Sequence, residues 1–172
     1  GSEMCIRDSS EIEVASIDEA MDLVGLLYSP EAYSTWKHKI EKSPELMFNR
    51  ILERFRSGAN ILASDYICAW EKLKDLRQQY HLAVQQYDAV LIPTSPIMPP
   101  KISQLMSDGN FYNSQNLLAL RNTRIGNLMG GCSITLPTDI PSCGILIMEK
   151  PNQEERLLRL AQACEVVLAR NG

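Results

Sequence analysis

Tyr87-Asp88-Ala89-Val90-Leu91-Ile92-Pro93-Thr94-Ser95-Pro96 decides the fold class of this 172-residue chain. Ala89–Ile92 is a continuous apolar run with no polar alternation, which predicts a short strand buried on both faces. Pro93 and Pro96 end it, because proline cannot donate to a sheet ladder. Ahead of it, Ser64 to Gln86 carries the strongest helical signal in the chain. Tyr66, Ala69, Trp70, Leu73, Leu76, Tyr80, Ala83, Val84 and Tyr87 recur at steps of three and four, and such a stripe packs on a core. Behind it, Pro99–Asn113 reads as a loop and Gln115–Arg124 as a helix. Ser133–Leu136 and Gly144–Met148 read as two more short strands, and Gln153–Ala169 as a last helix. Long helices interleaved with isolated buried strands predict α/β layering.

Nearer the start, Ile17–Leu27 has helical spacing, with Ser16 as N-cap and Glu19 completing a capping box. Ser29-Pro30 opens a second helix. Ser43-Pro44 breaks that one and starts a third, Pro44–Phe55, closed by Arg56-Ser57-Gly58.

Composition narrows the function. The chain is 45% hydrophobic and 22% charged, with a formal net charge of −4. That balance suits a soluble globular chain of about one domain. It argues against a nucleic-acid partner, which favours a basic surface. No apolar run reaches the roughly 20 residues of a membrane span. Cys5, Cys68, Cys132, Cys143 and Cys164 are an odd, scattered set with no Cys-x-x-Cys pair. They fit reduced thiols in the cytoplasm better than a disulfide framework.

Most familiar chemistry is missing. His38 and His81 are the only histidines and lie far apart, so no zinc motif can be written. No glycine-rich phosphate loop and no Gly-x-Ser-x-Gly elbow occurs. Ser34-Thr35-Trp36-Lys37 matches Ser-x-x-Lys, but its companion elements are absent, and it reads as an exposed helix face. The suggestive side chains are arginines. Arg54 lies four residues before Gly58, and Arg121 and Arg124 flank Thr123 just before Asn127. A planar guanidinium donates two parallel hydrogen bonds and suits a carboxylate or phosphate; the alternative is a surface ion pair.

The stretch Tyr87–Pro96 resembles the tyrosine-aspartate, buried strand and proline-threonine-x-proline end of amidase signature hydrolases. Three other stretches are similar to the same family: Glu31-Ala32-Tyr33; Arg54-x-x-x-Gly58 followed by Ala63-Ser64-Asp65-Tyr66; and Asn127-Leu128-Met129-Gly130 through Pro137. The resemblance implies an α/β/α sandwich around a mixed sheet, of which this chain is the C-terminal part and therefore incomplete. It implies cleavage of a carboxamide C–N bond by a serine, a second serine in a cis peptide and a lysine, without metal or cofactor. The family's Gly-Gly-Ser-Ser-Gly segment and matching lysine are absent here, so no catalytic residue is assigned and the chain alone is expected to be inactive. Arg54, Arg121 and Arg124 are the expected substrate-binding residues, Arg54 because it matches the arginine that contacts the substrate carboxylate in glutamine-using relatives.

Three departures weaken a glutamine-specific reading. Leu120 stands where those relatives carry an aspartate for the substrate's amino group, Cys132 where proline is usual, and Leu146 near a usual glutamine. Ser2–Ser9 resembles one reading frame of a transposon-end sequencing adapter. This sets residues 1–10 apart as an adapter-derived or disordered tail, with residues 11–172 as the C-terminal portion of an amidase domain. The expected partners are a small amide substrate and the missing N-terminal part of the same protein, with a homodimer left open. A non-catalytic interaction subunit, or an amidotransferase A-subunit-like protein, is the alternative.

Overall fold

The computed structural model describes residues 9–170; most of the segment read as a tail, residues 1–8, lies outside them. Among the described residues the order is α1 (Ala15–Asp22), α2 (Val24–Ile40), a 3-10 turn (Pro44–Leu46), α3 (Asn49–Ser57), a second 3-10 turn (Gly58–Asn60) and α4 (Ala63–Ala83). Then come β1 (Val90–Pro93), α5 (Ile102–Ser107), α6 (Gly109–Ala119), α7 (Arg121–Met129), β2 (Cys132–Pro137), β3 (Gly144–Glu149) and α8 (Glu154–Arg170).

The strands form one antiparallel sheet of order β1-β3-β2, with Val90 opposite Met148 and Ile134 opposite Ile147. Side-chain alternation gives the sheet two working faces. Val90, Ile92, Leu146 and Met148 join the main core with Ala69, Leu73, Leu76 and Tyr80 of α4 and Ile125, Leu128 and Met129 of α7. Ile134, Leu136, Ile145 and Ile147 pack on the other side against Leu157 and Ala161 of α8. The result is helices, sheet, helix: an α/β/α sandwich.

The strand expected to be buried on both faces is not β1. As an edge strand paired only with β3, it leaves Leu91 59% exposed. The central β3 meets the expectation, since Leu146, Ile147, Met148 and Glu149 are all buried.

The α4 stripe is buried at Ala69, Leu73, Leu76 and Tyr80, as its spacing predicts. The N-terminal capping box does not form. Helix α1 starts at Ala15 after Val14, and Ser16 is buried with its hydroxyl unpartnered. Helix α2 runs straight through Pro30 instead of starting there. An internal proline removes a hydrogen bond and crowds the preceding turn, so packing must carry the helix across it. The 3-10 turn at Gly58 sits directly on the Ser29–Pro30 peptide: a Cβ at Gly58 would lie 2.1 Å from the Ser29 carbonyl oxygen. Leu146, one of the family departures, is 3% exposed and is a core residue.

The segment read as a loop over residues 99–113 folds into α5 and the start of α6. Asp108 caps α6, its carboxylate accepting from the Asn110 and Phe111 backbone N–H groups at 2.8 and 3.0 Å. Losing such a cap typically costs about 1 kcal/mol. Asp108→Ala is expected to lower the urea midpoint by that order, while Asp108→Asn, which keeps an acceptor, loses much less.

Candidate binding groove

Five helices and one junction build the site. Met21 of α1, Val24, Gly25, Tyr28 and Ser29 of α2, Arg54 of α3, Leu117 and Leu118 of α6, Leu120 at the α6–α7 junction, and Arg121, Thr123, Arg124 and Asn127 of α7 line a groove of about 720 Å³. That is within the size range of small-molecule sites. The structure therefore brings Arg54, Arg121 and Arg124 to one recess, although Arg54 is 67 positions from Arg121 in the chain.

Local folding explains the placement. Gly130, at φ 70°, ends α7 in the left-handed conformation, and the Gly131 N–H returns to the Gly126 carbonyl at 3.1 Å. Arg77 of α4 donates through Nε to the Leu128 carbonyl at 2.6 Å, satisfying another free carbonyl of that helix end. At the other end, buried Asn122 donates to the Pro93 carbonyl at 2.7 Å. Helix α7 is thus pinned to α4 and to the end of β1, and Arg121 and Arg124 flank the pin.

The three arginines are not equivalent. Arg121 is paired with Asp18 at 2.9 Å in an exposed contact, of the kind that stabilises little. Arg54 donates from Nη1 and Nη2 to the Asn116 side-chain oxygen at 3.0 and 2.9 Å, with that amide turned to satisfy both its ends. Arg124 donates to the Leu117 carbonyl at 3.2 Å. Burial, and then the like charge of Arg54, hold Arg124 below the ordinary arginine range, with Tyr28 acting the other way. The Tyr28 hydroxyl is buried without a hydrogen-bond partner, and burial raises its pKa against the pull of Arg124 and Arg77. Among the described residues no aspartate or glutamate lines the groove.

Tyr28 and Asn116 were missed in the sequence. Tyr28 had a usable signal, since Met21, Val24 and Tyr28 fall at helical spacing. Asn116 had none, because its partner is 62 positions away.

Other chemistry is sparse. Ser34 and Lys37 are exposed on α2. Among the described residues no group of three or more His, Cys, Asp or Glu side chains is placed to hold a metal, and no helix is long and apolar enough to cross a membrane. Cys68, Cys132, Cys143 and Cys164 are free thiols.

His81 of α4 lies beside a second, tiny cavity of about 10 Å³. Burial lowers its pKa from 6.5; Arg77 and Lys150 add to this, and a backbone hydrogen bond with Met129 opposes it. A lowered folded-state pKa means that the unfolded chain takes up the proton first. Stability is then fully present above the ordinary histidine value and falls as pH drops below it towards the folded value. Urea midpoints measured from about pH 8 down to about pH 5 should show this loss, and His81→Gln should flatten it.

Sandwich and groove together define an α/β unit with an arginine-lined recess that, among the described residues, no aspartate or glutamate lines. The family model described as Amidase matches residues 6–158, and the chain belongs to that family. It is 26% identical over 135 residues to a 2-amino-5-chloromuconic acid deaminase of Comamonas testosteroni, covering 76% of this chain and 28% of that protein. It is also 26% identical over 166 residues to an A-subunit of a glutamyl-tRNA(Gln) amidotransferase of Clostridium acetobutylicum, covering 91% and 34%. The fold matches a crystal structure of an amidase with a TM-score of 0.71 at 19% identity, over 88% of this chain and 36% of that one. The chain spans about a third of the length of the curated relatives it matches.

Proposed function

We propose that this chain forms the substrate-facing wall of an amidase that cleaves the carboxamide C–N bond of a small molecule. The observation that carries the proposal is the convergence of Arg54 and Arg124 on one groove, within a chain of the Amidase family, with neither guanidinium paired to a carboxylate among the described residues. In this reading the arginines bind and orient. The attacking serine, the relay serine and the lysine base belong to polypeptide outside these 172 residues, and that polypeptide is the partner the groove needs. The serine would add to the amide carbon, the lysine would take its proton through the relay, and the amine would leave protonated before water releases the acid. The free thiols of Cys68, Cys132, Cys143 and Cys164 support placing the protein in the cytoplasm.

Arg54→Ala in the enzyme containing this chain tests the reading. Losing a charge-assisted, two-pronged contact should raise KM roughly tenfold to a hundredfold. The melting temperature should hardly move, because the Arg54 guanidinium sits at the groove wall against the neutral Asn116 amide. If stability falls as much as affinity, Arg54 is a structural residue and the pocket assignment is wrong.

A further inference from the structure

We infer that α5 and α6 form a hinged flap, latched to α3 by Arg50, whose closed position occupies Arg54 and Arg124 with the flap's own oxygens. This goes beyond the amidase reading above and rests on it only for the purpose of the groove, since the flap's motion can be measured without a substrate. Neither helix buries a residue, and Ile102 and Met106 of α5 and Leu117 of α6 are exposed. Helix α5 packs mainly on α6, and α6 on α7. A segment with so few buried apolar contacts opens at a lower cost than the core. Its base, by contrast, is fixed. The flap leaves the sheet after Pro93 and rejoins the other helices just before Asn122, and these two residues are hydrogen-bonded at 2.7 Å. Only Leu120 separates α6 from the pinned α7. That puts one hinge at Leu120 and the other in the irregular stretch 94–101, the loop and element-end positions that absorb such motions.

The latch lies outside the groove. Arg50 of α3 holds its guanidinium 4.8 Å from the Tyr112 ring of α6 and 5.9 Å from the Phe48 ring, both within cation–π range. The two rings meet edge to face at 5.5 Å. The same guanidinium donates from Nη1 to the Leu105 carbonyl of α5 at 3.1 Å, so one side chain grips both flap helices. Further along α6, Asn116 accepts from Arg54, and the neighbouring Leu117 carbonyl accepts from Arg124. Among the described residues these three arginines supply every side-chain hydrogen bond between the flap helices and the rest of the protein. Swinging α6 outward breaks the Arg54 and Arg124 contacts together and frees both guanidiniums. Arg121, paired with Asp18 of α1, keeps its partner. Flap and ligand therefore compete for the same donors, and a ligand that needs them shifts the population towards the open form.

Two probes of the enzyme containing this chain test the flap, both read peptide by peptide in a mass spectrometer: amide hydrogen exchange, and arginine modification by phenylglyoxal. Amides of α6 should exchange faster than those of α4, whose stripe lies in the core. Arg50→Ala should speed α6 exchange at least about tenfold, the size of one lost cation–π or hydrogen-bond contact, and leave α4 unchanged. Arg50→Lys, which keeps the charge over the rings but loses the fork, should give part of that rise. Tyr112→Leu removes the ring from the flap's side of the latch and should act like Arg50→Ala, so the result does not hang on the folding of one variant. In Arg50→Ala and Tyr112→Leu, phenylglyoxal should modify Arg54 and Arg124 faster than in the parent enzyme, with Arg121 unchanged as the internal control. Three results would each overturn the inference: α6 amides as slow as those of α4 in both variants, a rise that spreads through α4 and β3, or a loosened flap with Arg54 and Arg124 modified no faster than before. Failure of the amidase reading shows up separately. The flap would then open as expected, yet Arg54→Ala would leave KM unchanged.

Discussion

Gly58→Ala is expected to cost about 3 kcal/mol or more, enough to leave a marginally stable domain largely unfolded. The reason is the identity of the atoms in the way. A Cβ at Gly58 would meet Ser29 O at 2.1 Å, Ser29 C at 2.3 Å and Pro30 N at 2.6 Å, all backbone atoms of α2. A flexible side chain would swing aside; a helical peptide group cannot without moving the helix. Because Pro30 already weakens α2 at this point, displacing the turn also removes the packing that carries the helix across the proline. Gly25→Ala in the same helix is the control. Nothing lies within 4 Å of its Cβ position, so it should be neutral or stabilising by about 0.5–1 kcal/mol through lower backbone entropy in the unfolded chain. Urea unfolding of the two variants should move in opposite directions, and a mild Gly58→Ala would mean that the turn does not seat on α2 as described.

The second large effect belongs to Leu76→Ala, with an expected loss of about 3–5 kcal/mol. Leu76 is 0% exposed and lies in the core shared by α4, α7 and the sheet. Removing three carbons there forfeits their burial and leaves a cavity between rigid elements, held by the Arg77–Leu128 and Asn122–Pro93 hydrogen bonds, that collapse only in part. Leu62→Ala, at a position 65% exposed just before α4, should change stability by less than about 0.5 kcal/mol. The pair should show in chemical unfolding as a large shift against a negligible one. The groove adds a functional readout: Leu76→Ala loosens the seat of α7 and should weaken ligand binding, whereas Leu62→Ala should not.

Much of the fold was legible because periodicity reports one-dimensional patterns faithfully. The α4 stripe, the three short strands and the last helix were all readable from spacing or apolar runs. What failed was context. The run Ala89–Ile92 said buried on both faces, yet β1 is an edge, because which strand becomes central is set by pairing with β3 and not by its own composition. Ser16 had the right type and spacing for a cap, but α1 began two residues earlier than that cap implies and buried it. Asp108 was a true cap inside a segment whose proline and glycine content suggested a loop.

The sequence by itself determined the class of protein. Arg54 through Gly58, Tyr87 through Pro96 and Asn127 through Gly130 carry the family resemblance, and Arg54, Arg121 and Arg124 stand out from residue type and local motif alone. Only the tertiary structure decided what those arginines are to one another. It paired Arg121 with Asp18, left Arg54 and Arg124 facing a common groove on neutral acceptors, and added Tyr28 and Asn116 to their surroundings. The physical reason is distance in the chain. Helical and strand periodicity couple residues a few positions apart, whereas the charge balance of a groove depends on side chains from helices dozens of residues apart, brought together only when the core packs.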